Sequence, residues 1–154
     1  MLEDKTKRIE IFCGHGSSTG LFGPQHRQVA GSILSDLSSI IYDVDMITDT
    51  PSSMFAFCCQ AAQIFGRVFS SYKDKQFMGF MDDIPFPLEL YEDLKYVFQT
   101  VAKDIIQRGR ISSIHREMFF AKLDEIGSQH VDYQNPALID LWLYEYKRHF
   151  MLYA

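Results

Sequence analysis

Two glycines and an Asn-Pro pair cut the last third of this 154-residue chain into helix-length pieces, and that punctuation most narrows the folds open to it. Ile105-Ile106-Gln107-Arg108 closes an amphipathic stretch at Gly109. A second stretch, Ile111 to Ile126, sets Arg116 just ahead of the apolar Met118-Phe119-Phe120 and ends at Gly127. Asn135 offers a cap, and Pro136 a first helical turn, for an aromatic-rich run from Leu138 to Tyr153. This pattern predicts packed helices around a groove, and no catalytic constellation stands out in it.

Composition bounds the rest. A chain of this length suits one domain that buries roughly 68–70% of its unfolded surface. At 47% hydrophobic and 14% aromatic it lies far from the composition of disorder. A net charge of −5 with scattered Lys and Arg argues against a nucleic-acid partner, which needs a basic face to release counterions. Cys13, Cys58 and Cys59 are odd in number and form no Cys-x-x-Cys, so they point to a reducing compartment and to no metal or redox motif. Cys58 and Cys59 lie in an apolar stretch and read as inert, and no Cys-His or Ser-His-Asp arrangement is supported. The charged N-terminus lacks a signal-peptide core, and no run approaches the ~18 apolar residues of a membrane span.

Along the chain, residues 1–24 read as a flexible or loosely docked arm and 25–154 as the folded domain. Arg8-Ile9-Glu10-Ile11-Phe12 alternates like a short strand, followed by the loop Gly14-His15-Gly16-Ser17-Ser18-Thr19-Gly20. Val29, Ile33, Leu37, Ile40, Ile41 and Val44 fall at helical spacing over Gln25 to Val44, and Thr50-Pro51 suits a helix start. Ser53 to Met81 reads as nearly continuous apolar helix to about Tyr72, then a short or irregular piece that Pro85 and Pro87 stop. Leu88 to Arg108 is the cleanest helix. Acids open it, Arg108 and Gly109 close it, and Leu90, Leu94, Val97, Phe98, Val101 and Ile105 form its inner stripe. The expectation is an all-α bundle of five or six helices.

In this order the elements resemble the Bcl-2 family of apoptosis regulators, with the divergence of a viral member. Ser113-Ile114-His115-Arg116, after the helix and glycine at Leu88–Gly109, sits where that family carries Asn-Trp-Gly-Arg. Asp140 to His149 resembles the helix after the family's central helix, Gln28 to Val44 its first, and Ser53 to Phe80 its groove-forming second and third. Only the arginine of the signature is kept, with Ile114 and His115 in place of Trp and Gly. Phe65-Gly66-Arg67 imitates the signature, but too many residues follow it.

The resemblance implies a Bcl-2-like bundle with a buried central helix hairpin and a surface groove. It also implies an anti-apoptotic, non-enzymatic role: binding the amphipathic Bcl-homology-3 helix of pro-apoptotic family members. By position, Phe65, Phe69, Tyr72, Phe77 and Phe80 would line one wall. Ile105, Phe119, Phe120 and Leu123 would form the floor or the other wall, and Arg116 would meet the partner's aspartate. No cofactor is implied. The location implied is host-cell cytoplasm or, by peripheral association, the mitochondrial outer membrane.

Two rivals stand beside this. One keeps the fold as a signalling adaptor or homodimer, motivated by a last helix that is apolar nearly all round, with Trp142 and Tyr146. The other is a small phosphate-binding enzyme using Gly14–Gly20, although the Gly-Lys-Ser/Thr ending of a phosphate loop is missing. Glu145 and His149, one turn apart, are too few to hold a metal.

Overall fold

A computed structural model describes residues 9–13, 15–22, 40–43, 53–85, 87–129 and 136–154. In chain order the elements are strands β1 (Ile9–Cys13), β2 (His15–Gly16), β3 (Gly20–Phe22), β4 (Ile40–Asp43) and β5 (Ser53–Phe57), helix α1 (Phe65–Ser71) and strand β6 (Gln76–Phe80). A 3₁₀ turn (Leu88–Leu90) then leads into helices α2 (Tyr91–Arg108), α3 (Ser113–Gln129) and α4 (Pro136–His149), and strand β7 (Phe150–Tyr153) closes the chain.

The all-α bundle expected above, with its buried central helix hairpin, does not form. The protein is mixed α/β. Its main sheet has the order β1-β5-β6-β7, with β1, β5 and β6 parallel and β7 antiparallel to β6. The physical reason lies in Met54-Phe55-Ala56 and Phe77-Met78-Gly79-Phe80, every one of them buried. A strand covered on both faces is apolar at consecutive positions, and periodicity cannot tell such a run from a buried helix. The expected helix from Ser53 to Tyr72 is therefore a strand, a turn and the short α1, and Phe77 to Phe80 is β6. The end of the expected last helix, Phe150–Tyr153, is the edge strand β7.

Of the expected helix over Gln25 to Val44, residues 25–39 and 44 lie outside the described residues, and Ile40–Asp43 form β4. The Thr50-Pro51 start and the Asn135 cap also lie outside them. Ile9–Cys13, expected in a loose arm, pairs along its whole length with Ser53–Phe57.

The sheet separates two cores. Phe55, Met78, Phe80 and Phe150 pack against α2, α3 and α4 on one face, together with Val97, Phe98, Phe119, Leu123, Ile139 and Tyr146. Phe12, Met54, Ala56 and Phe77 pack on the other against Phe65 and Phe69 of α1. The alternation of strand side chains makes this division. In α2 the inner stripe is buried as the spacing predicts, and Gly109 caps it at φ +71° with its N–H on the Ile105 carbonyl. A β2-β3-β4 antiparallel sheet sits beyond the end of β1.

Candidate active site at the carboxyl ends of the parallel strands

The residues expected to wall a groove do not come together. Phe65, Phe69 and Phe77 form a trio on one side of the sheet, with ring centroids 5.9–6.0 Å apart and Phe77 edge-on to the other two. Phe80, Ile105, Phe119 and Leu123 lie on the other side, and all seven side chains are closed to solvent. Tyr72 is exposed just beyond α1. Arg116 is exposed on α3, its guanidinium 5.3 Å above the half-buried Phe120 ring. The Lys147 ammonium approaches the same ring at 5.9 Å.

A different set of residues converges where β1, β5 and β6 end. In open α/β sheets the crevice beyond the carboxyl ends of the strands is where ligands bind. The register pairs Cys13 of β1 with Phe57 of β5. His15 and Cys59 each follow two residues later, His15 in β2 and Cys59 in the turn after β5. The two chains touch there: a Cβ on Gly16 would lie 2.4 Å from the Cys59 carbonyl oxygen and 2.7 Å from Cys58 Sγ. Only a glycine lets the chain beside His15 approach so closely.

After β5 the chain turns sharply. Gln60 holds φ +60°, a conformation non-glycine residues adopt at a cost, and residues 61–64 turn into α1. Hydrogen bonds to the end of β6 and the loop after it hold this turn in place. Gln60 N–H donates to the Asp82 carbonyl (3.2 Å), and Gln60 Nε2 to Asp83 Oδ1 (2.8 Å). Ala62 N–H donates to the Phe80 carbonyl (2.9 Å), so the loops after β5 and β6 are tied together. Strand β5, the strained turn at Gln60 and α1 follow in succession, with Cys59 one residue ahead of the strained position.

Cys58 and Cys59 are not joined in a disulfide. Cys58 is buried in the α1-side core, whereas Cys59 is half-buried and looks toward Asp83. Burial pushes the Cys59 thiol above its ordinary value. The Asp83 carboxylate, by its charge and its hydrogen bond, and the Asp82 charge push the same way, while a backbone hydrogen bond from Ile84 opposes them. The resting group is therefore the neutral thiol, which needs a base to become a nucleophile.

The glycine-rich loop itself is spent on structure. Its described residues, 15–20, belong to the β2-β3 hairpin, with Ser17 N–H on the Gly20 carbonyl and Thr19 N–H on Ser17 Oγ. The Ser18 carbonyl accepts the N–H groups of Ile64 and Phe65 at the start of α1. Those amides, which a phosphate would need, already have an acceptor.

Cys58 and Cys59, expected to be inert within an apolar stretch, lie in the turn after β5, Cys58 buried and Cys59 half-buried. Ile9–Phe12 alternates like a strand, but the apolar run of Ser53–Phe57 carries no such signal, so the sequence does not bring the His15 segment beside Cys59. Comparison with protein-family models, with curated proteins and with solved structures finds no match to this chain.

Proposed function

We propose that the protein is a thiol-dependent acyl hydrolase with Cys59 as nucleophile and His15 as general base. The observation that carries this is the close packing of Gly16, the neighbour of His15, on the Cys59 carbonyl in the segments that follow the paired parallel strands β1 and β5. Histidine is the side-chain base suited to neutral pH, and a thiol whose burial and acidic neighbours keep it protonated requires one.

The steps balance without a cofactor. His15 takes the Cys59 proton as sulfur attacks a substrate carbonyl. The tetrahedral intermediate collapses to a thioester, and the His15 imidazolium returns the proton to the leaving amine or alcohol. Water, deprotonated by His15, then releases the acid and regenerates the thiol.

Helix sequestration fits this structure less well. It requires Phe65, Phe69, Phe77, Phe80, Ile105, Phe119 and Leu123 in an open trough, and they fill two cores on opposite sides of a sheet.

The test is turnover of a fluorogenic peptide-amide library. Cleavage is expected with the native chain and with Cys58→Ala. It is expected to be lost with Cys59→Ala and to fall at least ~100-fold with His15→Ala. Turnover that survives Cys59→Ala, or no turnover of any library member, overturns the reading.

A further inference from the structure

Away from the strand ends, β1 borders a recess of about 340 Å³ lined by Ile11, Phe12, Phe55, Phe57, Phe98 and Ala102, with Tyr91, Lys95 and Gln99 at its rim. Phe57 and Phe98 are stacked at 3.4 Å. Helix α2 supplies the facing wall of the recess, and Ile11 is 37% exposed. Among the described residues β1 pairs with β5 on one side and with no strand on the other. An open edge offers a row of backbone donors and acceptors, and β1 blunts it with a single charge, Glu10. Lys95 is exposed, brings the one cation to the recess and has no ion pair among the described residues.

We infer that the β1 edge and this recess bind an extended peptide of a partner protein, which adds as a fifth strand, sets an apolar side chain in the recess and presents a carboxylate to Lys95. Each part of the geometry selects one feature of that occupant. The open edge supplies main-chain hydrogen bonds, the recess selects alternate side chains, and the lone cation selects an acidic residue or a free C-terminus. The recess is large enough for one large apolar side chain, with the polar groups confined to its rim.

The test uses Cys59→Ala protein, so binding is read whether or not the chain hydrolyses peptides. The probe is a fluorescein-labelled octapeptide that alternates threonine with leucine or phenylalanine and ends in a free carboxylate. Fluorescence anisotropy is expected to rise with the probe, and to need about tenfold more protein when the carboxylate is amidated or Lys95→Glu is introduced. N-methylation of alternate probe amides is expected to abolish binding. Lys95 is exposed, so that variant keeps its fold, and circular dichroism checks this. The inference is overturned by an unchanged anisotropy, by binding indifferent to both N-methylation and Lys95→Glu, or by sedimentation showing that a second copy of the chain already occupies the edge.

Discussion

His115 Nε2 lies 2.8 Å from Asp104 Oδ2, joining the first turn of α3 to the last turns of α2. His115 is fully buried, and its Nδ1 accepts the Ser112 N–H at 3.0 Å, which leaves the proton on Nε2 to donate to the carboxylate. Arg108 Nε completes the group at 2.6 Å from the same oxygen. One imidazole therefore both caps a helix start and fixes the α2–α3 corner. His115→Ala strands the Ser112 donor and opens a cavity. An expected cost of about 2–4 kcal/mol is checked by urea unfolding.

The same group predicts an acid dependence. Partial burial raises the Asp104 carboxyl, but the hydrogen bonds from Arg108 and His115 outweigh it and hold the carboxyl below its ordinary value of 3.8. A depressed folded-state value means stability that is present above the unfolded value and lost as pH falls through the folded one. The stability difference between native protein and Asp104→Asn is therefore constant near neutrality. It shrinks as pH drops below about 4. Unfolding midpoints measured across that range check it.

How far this was legible depends on the residue pattern. Helix α2 announced itself because Leu94, Val97, Val101 and Ile105 bury one stripe while Glu92, Asp93 and Arg108 complement the dipole. Strands β5 and β6 did not, because Met54-Phe55-Ala56 and Phe77-Met78 are covered on both faces and lose the alternation that marks a strand. β7 was hidden for another reason: Phe150–Tyr153 continues the apolar run of α4 without a glycine or proline between. The candidate site followed the strands. With β5 read as helix, Cys59 sat in mid-element, and nothing linked it to His15, 44 positions earlier.

Cys59 should react slowly at neutral pH. Its burial, then the neighbouring Asp83 and Asp82 charges, raise the thiol above the ordinary 9.0. Since the thiolate is the reactive form, the rate of alkylation by iodoacetamide should still be climbing with pH at that value, where an ordinary thiol begins to level off. Asp83→Asn removes a negative charge while keeping an acceptor for Gln60, so the inflection should move down. Peptide mapping of the alkylated site by mass spectrometry, as a function of pH, measures both.

Gly66 sits in α1 with Phe77 beneath it, and a Cβ there would meet the ring at 2.4 Å. Helix propensity alone favours alanine over glycine by about 1 kcal/mol. The ring cannot yield, since Phe65 and Phe69 hold it edge-on and it is fully buried. Overpacking wins, and Gly66→Ala should lower stability by about 1–3 kcal/mol in thermal or urea unfolding.

Phe80 gives the sharpest contrast between a groove and a core. Its ring stands edge-on to Phe57 at 6.0 Å, Phe98 at 6.4 Å, Phe119 at 5.9 Å, Tyr146 at 5.8 Å and Phe150 at 5.9 Å. One residue of β6 thus joins β5, β7 and all three large helices. A groove wall would tolerate truncation, because its face already meets water. A ring closed to solvent and ringed by five others leaves a void no neighbour can fill without breaking a contact of its own. Phe80→Ala is expected to cost about 3–5 kcal/mol, and Phe80→Leu less, because it keeps most of the volume. Urea unfolding of the two variants beside Tyr72→Ala, which removes an exposed ring and should change little, checks the ordering.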